Sequence, residues 1–224
     1  MAENFFKQRQ EMAKRYRAAG YIKSKSIENA VLKVPREEFM APELREYAYF
    51  DQPAPIPGDG RQTISAPYMY PITYEPLKLS KGDKILEIGA GSGYGAALAR
   101  EVVGEEGLVV AVEINPITYE FAKINLQRTG YTDIKLILGD GGLGVPEYAP
   151  YNSISVTAAS PEVPPPLLNQ LTQQGRIILP IGGSSIYGQD LVLIEKDQKG
   201  KISRHVLMSV AYVPLIGEHG WNRK

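Results

Sequence analysis

The segment Lys84–Gly95, KILEIGAGSGYG, limits this chain more than any other stretch. A short apolar run, Lys84–Ile88, leads straight into glycines at alternate positions, Gly89, Gly91 and Gly93, and then into helical composition over Tyr94–Val103. Strand, tight glycine turn and helix in that order mark one unit of a parallel sheet. The pattern then recurs. Leu108–Glu113 reads as a strand and Pro116–Arg128 as a helix with proline at its first turn. Ile134–Leu138, Ser153–Thr157 and Arg176–Pro180 follow as strands, with a helix over Pro165–Leu171. This alternation predicts a doubly wound, mostly parallel α/β sheet with helices on both faces. Asp190–Lys196 and Lys201–Val213 flank Asp197–Gly200 and read as an antiparallel hairpin at the sheet edge.

The first 80 residues have a different texture, a helical N-terminal cap. Residues 3–19 form an amphipathic helix, which packs on the body or, as the alternative, lies on a membrane. Ser26 caps a helix over Ile27–Lys33 that Pro35 ends, and Arg36–Tyr49 is broken by Pro42 before the Pro/Gly-rich loop Asp51–Gly60. The expected division is 1–80 as cap with a substrate and cofactor loop, and 81–224 as the core, in one compact unit. At 224 residues the chain buries enough surface to fold without staples.

Composition removes whole classes of chemistry. There is no cysteine, hence no thiol nucleophile, thiolate zinc site or disulfide, and two histidines, His205 and His219, read as structural or exposed. No metal is expected. Lys+Arg 25 balance Asp+Glu 25, which argues against a nucleic-acid partner. No apolar run approaches a bilayer span, and the N-terminus mixes charge into every turn, so the expectation is a cytoplasmic protein with no membrane partner.

In an open α/β sheet, ligands bind outside the carboxyl ends of the strands, where glycines let a ligand approach the backbone. Glu113 ends the second strand, where a carboxylate can accept both ribose hydroxyls of an adenosine. The plain alternative is a glycine-rich turn beside a surface glutamate. Two nucleotide readings compete. Gly91-x-Gly93-x-x-Ala96 satisfies the dinucleotide fingerprint. The register E-x-G-x-G-x-G from Glu87 to Gly93 resembles motif I of class I S-adenosylmethionine methyltransferases. Gly139-Asp140 after the third strand, and the edge hairpin, favour the second.

Further segments are more specific. Arg61–Tyr68, RQTISAPY, resembles the Q-T-I-S-x-P signature of the protein-L-isoaspartate O-methyltransferase family. Val156–Pro164, VTAASPEVP, is similar to its V-T-A-A-x-P-E-I-P stretch, and Leu86–Tyr94, Gly139–Gly141, Gly175–Gly182 and Val213–Leu215 continue the match in order. The resemblance implies a Rossmann-like methyltransferase fold, S-adenosyl-L-methionine as cofactor with S-adenosyl-L-homocysteine as product, and methyl esterification of isoaspartyl carboxylates in damaged proteins and peptides. Succinimide formation then starts repair. It implies Ser65 as the catalytic position, orienting a carboxylate oxygen; the alternative for Ser65 is helix N-cap, since Pro67 follows. It implies Gln62, Thr63, Ile64, Ser65, Tyr70, Glu87, Gly89, Gly91, Gly93, Glu113, Ile114, Asp140 and Gly141 around the cofactor. Ser65, Ala66, Val213 and Leu215 would meet the peptide, with strand-end packing the alternative for the last two.

There are departures and rivals. Pro71 and Pro76 should break the helix after Ser65, and Asn152 replaces a usual aspartate, which could alter the loop below the cofactor. Ser160-Pro161-Glu162 stands where an amino-methylating nucleic-acid enzyme would carry [DN]-P-P-[YF]. A nicotinamide oxidoreductase would need a proton relay, for which Tyr119-x-x-x-Lys123 has the spacing but the wrong helix. A cofactor-binding protein without catalysis is a further alternative. His219-Gly220-Trp221 is placed to cover the pocket.

Overall fold

The computed structural model describes residues 2–185 and 188–221; the last three residues of the expected core unit, 222–224, lie outside the described residues. Helix α1 (Ala2–Ala18) packs on the body through buried Met12, Ala13 and Tyr16, while Phe6 is half exposed. On the same helix, Arg9 is buried and donates to Glu37 Oε1 at 3.0 Å, to the Tyr49 hydroxyl at 2.9 Å and to the Leu32 carbonyl at 3.0 Å. Helix α2 (Lys25–Lys33) is capped by Ser24, whose side chain accepts the Ile27 amide, and not by Ser26. Lys25 therefore begins the helix. The position is fixed by Glu75, whose Oε1 accepts both the Lys23 and Ser24 amides at 2.8 Å.

Two 3-10 turns, Arg36–Phe39 and Pro42–Tyr47, replace a broken helix. Strands β1 (Ala54–Pro55) and β2 (Thr63–Ile64) pair antiparallel and close the intervening loop. Helix α3 (Met69–Leu77) runs unbroken through both prolines. Pro71 falls in its first turn, where an N–H has no intrahelical acceptor, and Pro76 falls one residue before the end. Tyr68 holds the N-cap position, so Ser65 is not the cap of this helix.

The main sheet comprises β3 (Lys84–Ile88), β4 (Leu108–Glu113), β5 (Lys135–Leu138), β6 (Tyr151–Val156), β7 (Leu171–Gly182), β8 (Gln189–Lys196) and β9 (Ile202–Val210). Their spatial order is 5-4-3-6-7-8-9, parallel from β5 to β7 and antiparallel over the last two. Helices α4 (Tyr94–Val103), α5 (Pro116–Thr129) and α6 (Pro165–Asn169) are the crossovers. Alternate strand residues feed opposite faces. Ile85, Val109 and Ala111 join a cluster with Met12, Val31 and Leu98, whereas Leu86, Ile88, Val110 and Val112 pack with Ile154, Leu167 and Leu179. Burial on both faces is why these strands read as continuous apolar runs and not as alternation. Cap and sheet share the first cluster.

Several boundaries differ from expectation. Strand β6 begins at Tyr151, α6 stops at Asn169, β7 extends over twelve residues, and β9 ends at Val210 and not at Val213. Pairing of β7 begins at Leu171 opposite Tyr151, with a register shift before Ser153, so the last residue of the expected helix, Leu171, belongs to the strand. Asn152 sits at the opposite end of the sheet from the carboxyl ends, its Oδ1 accepting the Lys84 amide at 2.8 Å, so it does not adjoin a cofactor loop. The turn Asp197–Gly200 is a hairpin as expected, with Asp197 Oδ1 accepting the Lys199 and Lys201 amides. No helix among the described residues is long and apolar enough to cross a membrane.

Candidate active site

Strand β3 leaves toward β4 and is flanked on its other side by β6, so the chain reverses winding between β3 and β6. Such a switch point opens a crevice at the carboxyl ends. A cavity of about 530 Å³ lies there, walled by the glycine loop, the end of β4, the segment from β2 into α3, and residues 208–216 from the end of β9 onward.

The loop glycines have left-handed φ, 85° at Gly89 and 57° at Gly91. A Cβ on Gly89 would strike Thr157 Oγ1. That hydroxyl donates to the Gly89 carbonyl at 2.7 Å, tying the loop to the end of β6. Glu113, 6% exposed, turns its carboxylate across the loop: Oε2 accepts the Gly91 amide at 3.0 Å and Oε1 the Asn115 amide at 2.9 Å. Burial raises its pKa, and the amides oppose the rise. Two of roughly four lone-pair sites are thus used, leaving others directed at the cavity for hydroxyl donors. Asn115 also starts α5, its side chain accepting the Ile117 and Thr118 amides.

Glu87 is 2% exposed; its Oε1 receives the Tyr74 hydroxyl at 3.5 Å and its Oε2 has no partner. Desolvation pushes its pKa up to about 8. Tyr70 meets Tyr94 edge-on at 4.8 Å, and burial raises its phenol to about 12 against the pull of Arg36. Arg36, 1% exposed, lies over both rings and donates to the carbonyls of Ala48 and Ser65, each at 2.8 Å. The Ser65 backbone is held from behind, while among the described residues no hydrogen bond occupies its hydroxyl. Gln62 Oε1 accepts the Asp59 amide at 2.8 Å.

The cavity wall includes Gln62, Thr63, Ile64, Ser65, Ala66, Tyr70, Glu87, Gly89, Gly91, Glu113, Ile114, Gly141, Val213 and Leu215. Gly93 and Asp140 do not line it. Gly93 is the N-cap of α4, behind the loop. Asp140 stands at the end of β5 beside Gly141, which does line the cavity; Oδ1 accepts the Gly142 amide and Oδ2 the Glu218 amide, both at 2.8 Å, which as for Glu113 leaves further acceptor sites on the carboxylate. His219, Gly220 and Trp221 do not line the cavity either. His205 is exposed, 3.5 Å from Glu195. Lys123 pairs with Glu120 on α5, and neither it nor Tyr119 borders the cavity, which leaves the nicotinamide relay without a site.

Neither Arg36 nor Thr157 is among the site residues expected from the sequence, although Thr157 belongs to the Val156–Pro164 stretch. Thr157 follows β6 at the switch point, so strand order would have exposed it. A single arginine after Val34-Pro35 carries no such signal.

The whole chain has well-defined relatives. Residues 7–220 match the family model for protein-L-isoaspartate(D-aspartate) O-methyltransferase. A protein-L-isoaspartate O-methyltransferase of Methanococcus aeolicus is 47% identical over 206 residues, covering 92% of this chain and 93% of the relative. One from Methanopyrus kandleri is 46% identical, covering 99% and 98%. A solved protein-L-isoaspartate O-methyltransferase superposes with a TM-score of 0.82 at 34% identity, over 94% of this chain and 66% of that longer one. A Plasmodium falciparum beta-aspartate methyltransferase solved with S-adenosyl-L-homocysteine, 24% identical, shares the fold at TM-score 0.79 over 92% of this chain and 97% of that one. With model, relatives and architecture agreeing over nearly its full length, the chain belongs to the protein-L-isoaspartate(D-aspartate) O-methyltransferase family.

Proposed function

We propose that the protein transfers a methyl group from S-adenosyl-L-methionine to the α-carboxylate of L-isoaspartyl residues in damaged proteins and peptides, and that residues of this cavity do so. Family membership carries the reaction class. The observation that carries the site is the joining, in one cavity, of β2 and the Ser65 that follows it, the glycine loop and the Glu113 carboxylate.

The residues fit this cofactor. Glu113 offers acceptor sites for ribose hydroxyls, the Cβ-free loop admits close approach, and Glu87 supplies a buried carboxyl with an unpartnered oxygen. When bound, the cofactor supplies an electrophilic methyl on a sulfonium and leaves as S-adenosyl-L-homocysteine. The acceptor carboxylate is ionised at neutral pH and needs no general base, in keeping with a cavity wall that contains no histidine. What the chain must do is position: Ser65 donates to one carboxylate oxygen and turns the other toward the methyl, while the Arg36-held backbone keeps Ser65 in place. Ala66, Val213 and Leu215 flank the peptide; Gln62, Thr63, Ile64 and Tyr70 border the methionine end; Ile114 and Gly141 border the nucleoside.

In this reading residues 1–80 cap the core and supply the substrate and cofactor loop, residues 81–224 form the cofactor-binding core, and the substrates are met in the cytoplasm. Zero net charge and the packing of α1 on the body support leaving nucleic acid and membranes out. The test uses labelled S-adenosylmethionine with paired peptides differing only in aspartyl or isoaspartyl linkage. Base-labile label in the isoaspartyl peptide alone supports the reading; equal label in both, or none in either, sinks it.

A further inference from the structure

Strand β9 is paired with β8 along one edge and stands open along the other. In β8, Leu191, Val192, Leu193 and Ile194 are buried, so both of its faces are covered, whereas every residue of β9 from Ile202 to Ser209 is exposed. Among the described residues no strand pairs with the outer edge. The side chains of Ile202, Val206, Leu207 and Met208 therefore lie in solvent beside a row of unpaired backbone groups. The hairpin fixes which groups those are. The Asp197 amide donates to the Lys201 carbonyl at 2.9 Å, so Lys201 faces β8, and by alternation so do Ser203 and His205. Ile202, Arg204 and Val206 then turn their amides and carbonyls outward. Leu207 is an extra residue between the pairs Leu191–Met208 and Val192–Val206. That bulge ends the regular ladder and bends the chain toward the cavity, whose wall it joins at Met208.

A polypeptide acceptor has to leave the cavity, because one residue is held while its flanks continue. An enzyme for damaged proteins has no fixed flanking sequence to read, and main-chain hydrogen bonds are contacts that every sequence can make. Strand β9 is antiparallel to β8, and β8 to β7, so β9 runs with the parallel strands and its carboxyl end is the one at the cavity. An extended segment that leaves the cavity over Met208 and Val210 meets the open edge in line. A second copy of the chain suits this edge less well. Lys201, Arg204 and His205 lie along it with no acidic residue from 201 to 210, so two such strands would gather like charges on one seam.

We propose that the outer edge of β9 is a docking site for the substrate polypeptide: residues that follow the isoaspartyl position add to Ile202–Val206 as an antiparallel strand, outside the cavity where methyl transfer occurs. The inference rests on the function proposed above and narrows its substrate to an extended, locally unfolded segment. In antiparallel addition the segment runs away from the cavity, which is why the flank concerned is the one after the acceptor. Only alternate residues of that flank direct amides at β9, so its contribution repeats every second residue. None of these groups touches the reacting atoms. The flank should therefore lower KM and leave kcat alone.

The test is steady-state methylation of isoaspartyl peptides by the full chain with labelled S-adenosylmethionine. One peptide ends just after the acceptor, and another continues for about ten uncharged residues, about 33 Å when extended, enough to pass the cavity and lie along the strand. The long flank should lower KM by about tenfold at unchanged kcat. N-methylation of alternate flank residues should erase that gain in one phase and spare it in the other. Arg204→Pro removes an outward amide while leaving the β8 ladder intact, and should erase the gain, whereas Arg204→Ala should keep it. Turnover of the short peptide should match wild type in both variants. The peptide series stands even if the proline variant fails to fold. No gain from the flank, the same response to both N-methyl phases, or a gain that survives Arg204→Pro would overturn the proposal. So would a dimer in sedimentation that Arg204→Pro dissociates, which gives the edge to a second copy. Failure of the short peptide to accept a methyl group would instead overturn the proposed function itself.

Discussion

The Glu113 carboxylate and the Gly91 amide are joined at 3.0 Å across the mouth of the crevice. The acid at the end of β4 therefore shapes the glycine loop before any ligand arrives. Replacing it removes both a ribose acceptor and a brace. Glu113→Ala should weaken S-adenosylhomocysteine binding by about 1.5–3 kcal/mol, measured by calorimetry. Glu113→Gln keeps an acceptor oxygen and should lose less. Equal losses would mean that charge alone matters.

Ser65 presents its hydroxyl to the cavity while its carbonyl is fixed by Arg36. Ser65→Ala should lower kcat by about tenfold to a hundredfold, with cofactor affinity and Tm almost unchanged. Turnover equal to wild type would remove the serine from the mechanism.

Arg36→Met strands two carbonyls in a buried place and removes a cation from the faces of Tyr70 and Tyr94. The expected loss is about 2–4 kcal/mol of stability, read by denaturant unfolding. A variant as stable as wild type would show that the two carbonyls find other donors.

Thr157→Val deletes the hydroxyl that ties β6 to the Gly89 carbonyl while keeping the branched shape. Stability should fall by about 1 kcal/mol, and Thr157→Ser should restore most of it. A loss with serine as large as with valine would assign the effect to packing.

Glu87 also sets a pH dependence of stability in the absence of ligand. Its carboxyl holds its proton to about pH 8 in the folded chain, against about 4.3 when unfolded. Below the lower value both states are protonated and nothing is lost. Between the two, only the unfolded chain ionises, so stability falls with rising pH and levels off above the folded value. Glu87→Gln should flatten this slope in urea midpoints taken from pH 5 to pH 9. An unaltered slope would mean that Glu87 is ionised when folded.

The parallel sheet was legible because buried strands between helices leave continuous apolar runs, as at Lys84–Ile88 and Leu108–Glu113, both of which begin and end where expected. Caps were less so. Ser24 and Ser26 have the same chemistry, and the choice falls to Ser24 through Glu75, a contact with a helix far along the chain. The prolines misled because their effect depends on position within a helix, and the start of α3 moved to Met69. Of the site, the loop and Glu113 were readable from local order. Asp140 stands at the strand end; its bond to the Gly142 amide is a local cap, whereas the Glu218 amide reaches it from the far end of the chain, a pairing that no local pattern encodes. Arg36 was invisible for the same reason: its partners, Ala48 and Ser65, meet it only in the folded chain.

The cavity wall is assembled from residues near 56–70 and near 208–216, which flank the entire parallel sheet in sequence. Contacts so distant along the chain close late, after the intervening strands are in register. A partly folded chain thus has a glycine loop but no enclosure around it. Binding of the complete cofactor, whose amino-acid end meets the late-closing wall, becomes a signature of completed folding, and a cell rich in that cofactor would draw the folding equilibrium toward the finished molecule by mass action.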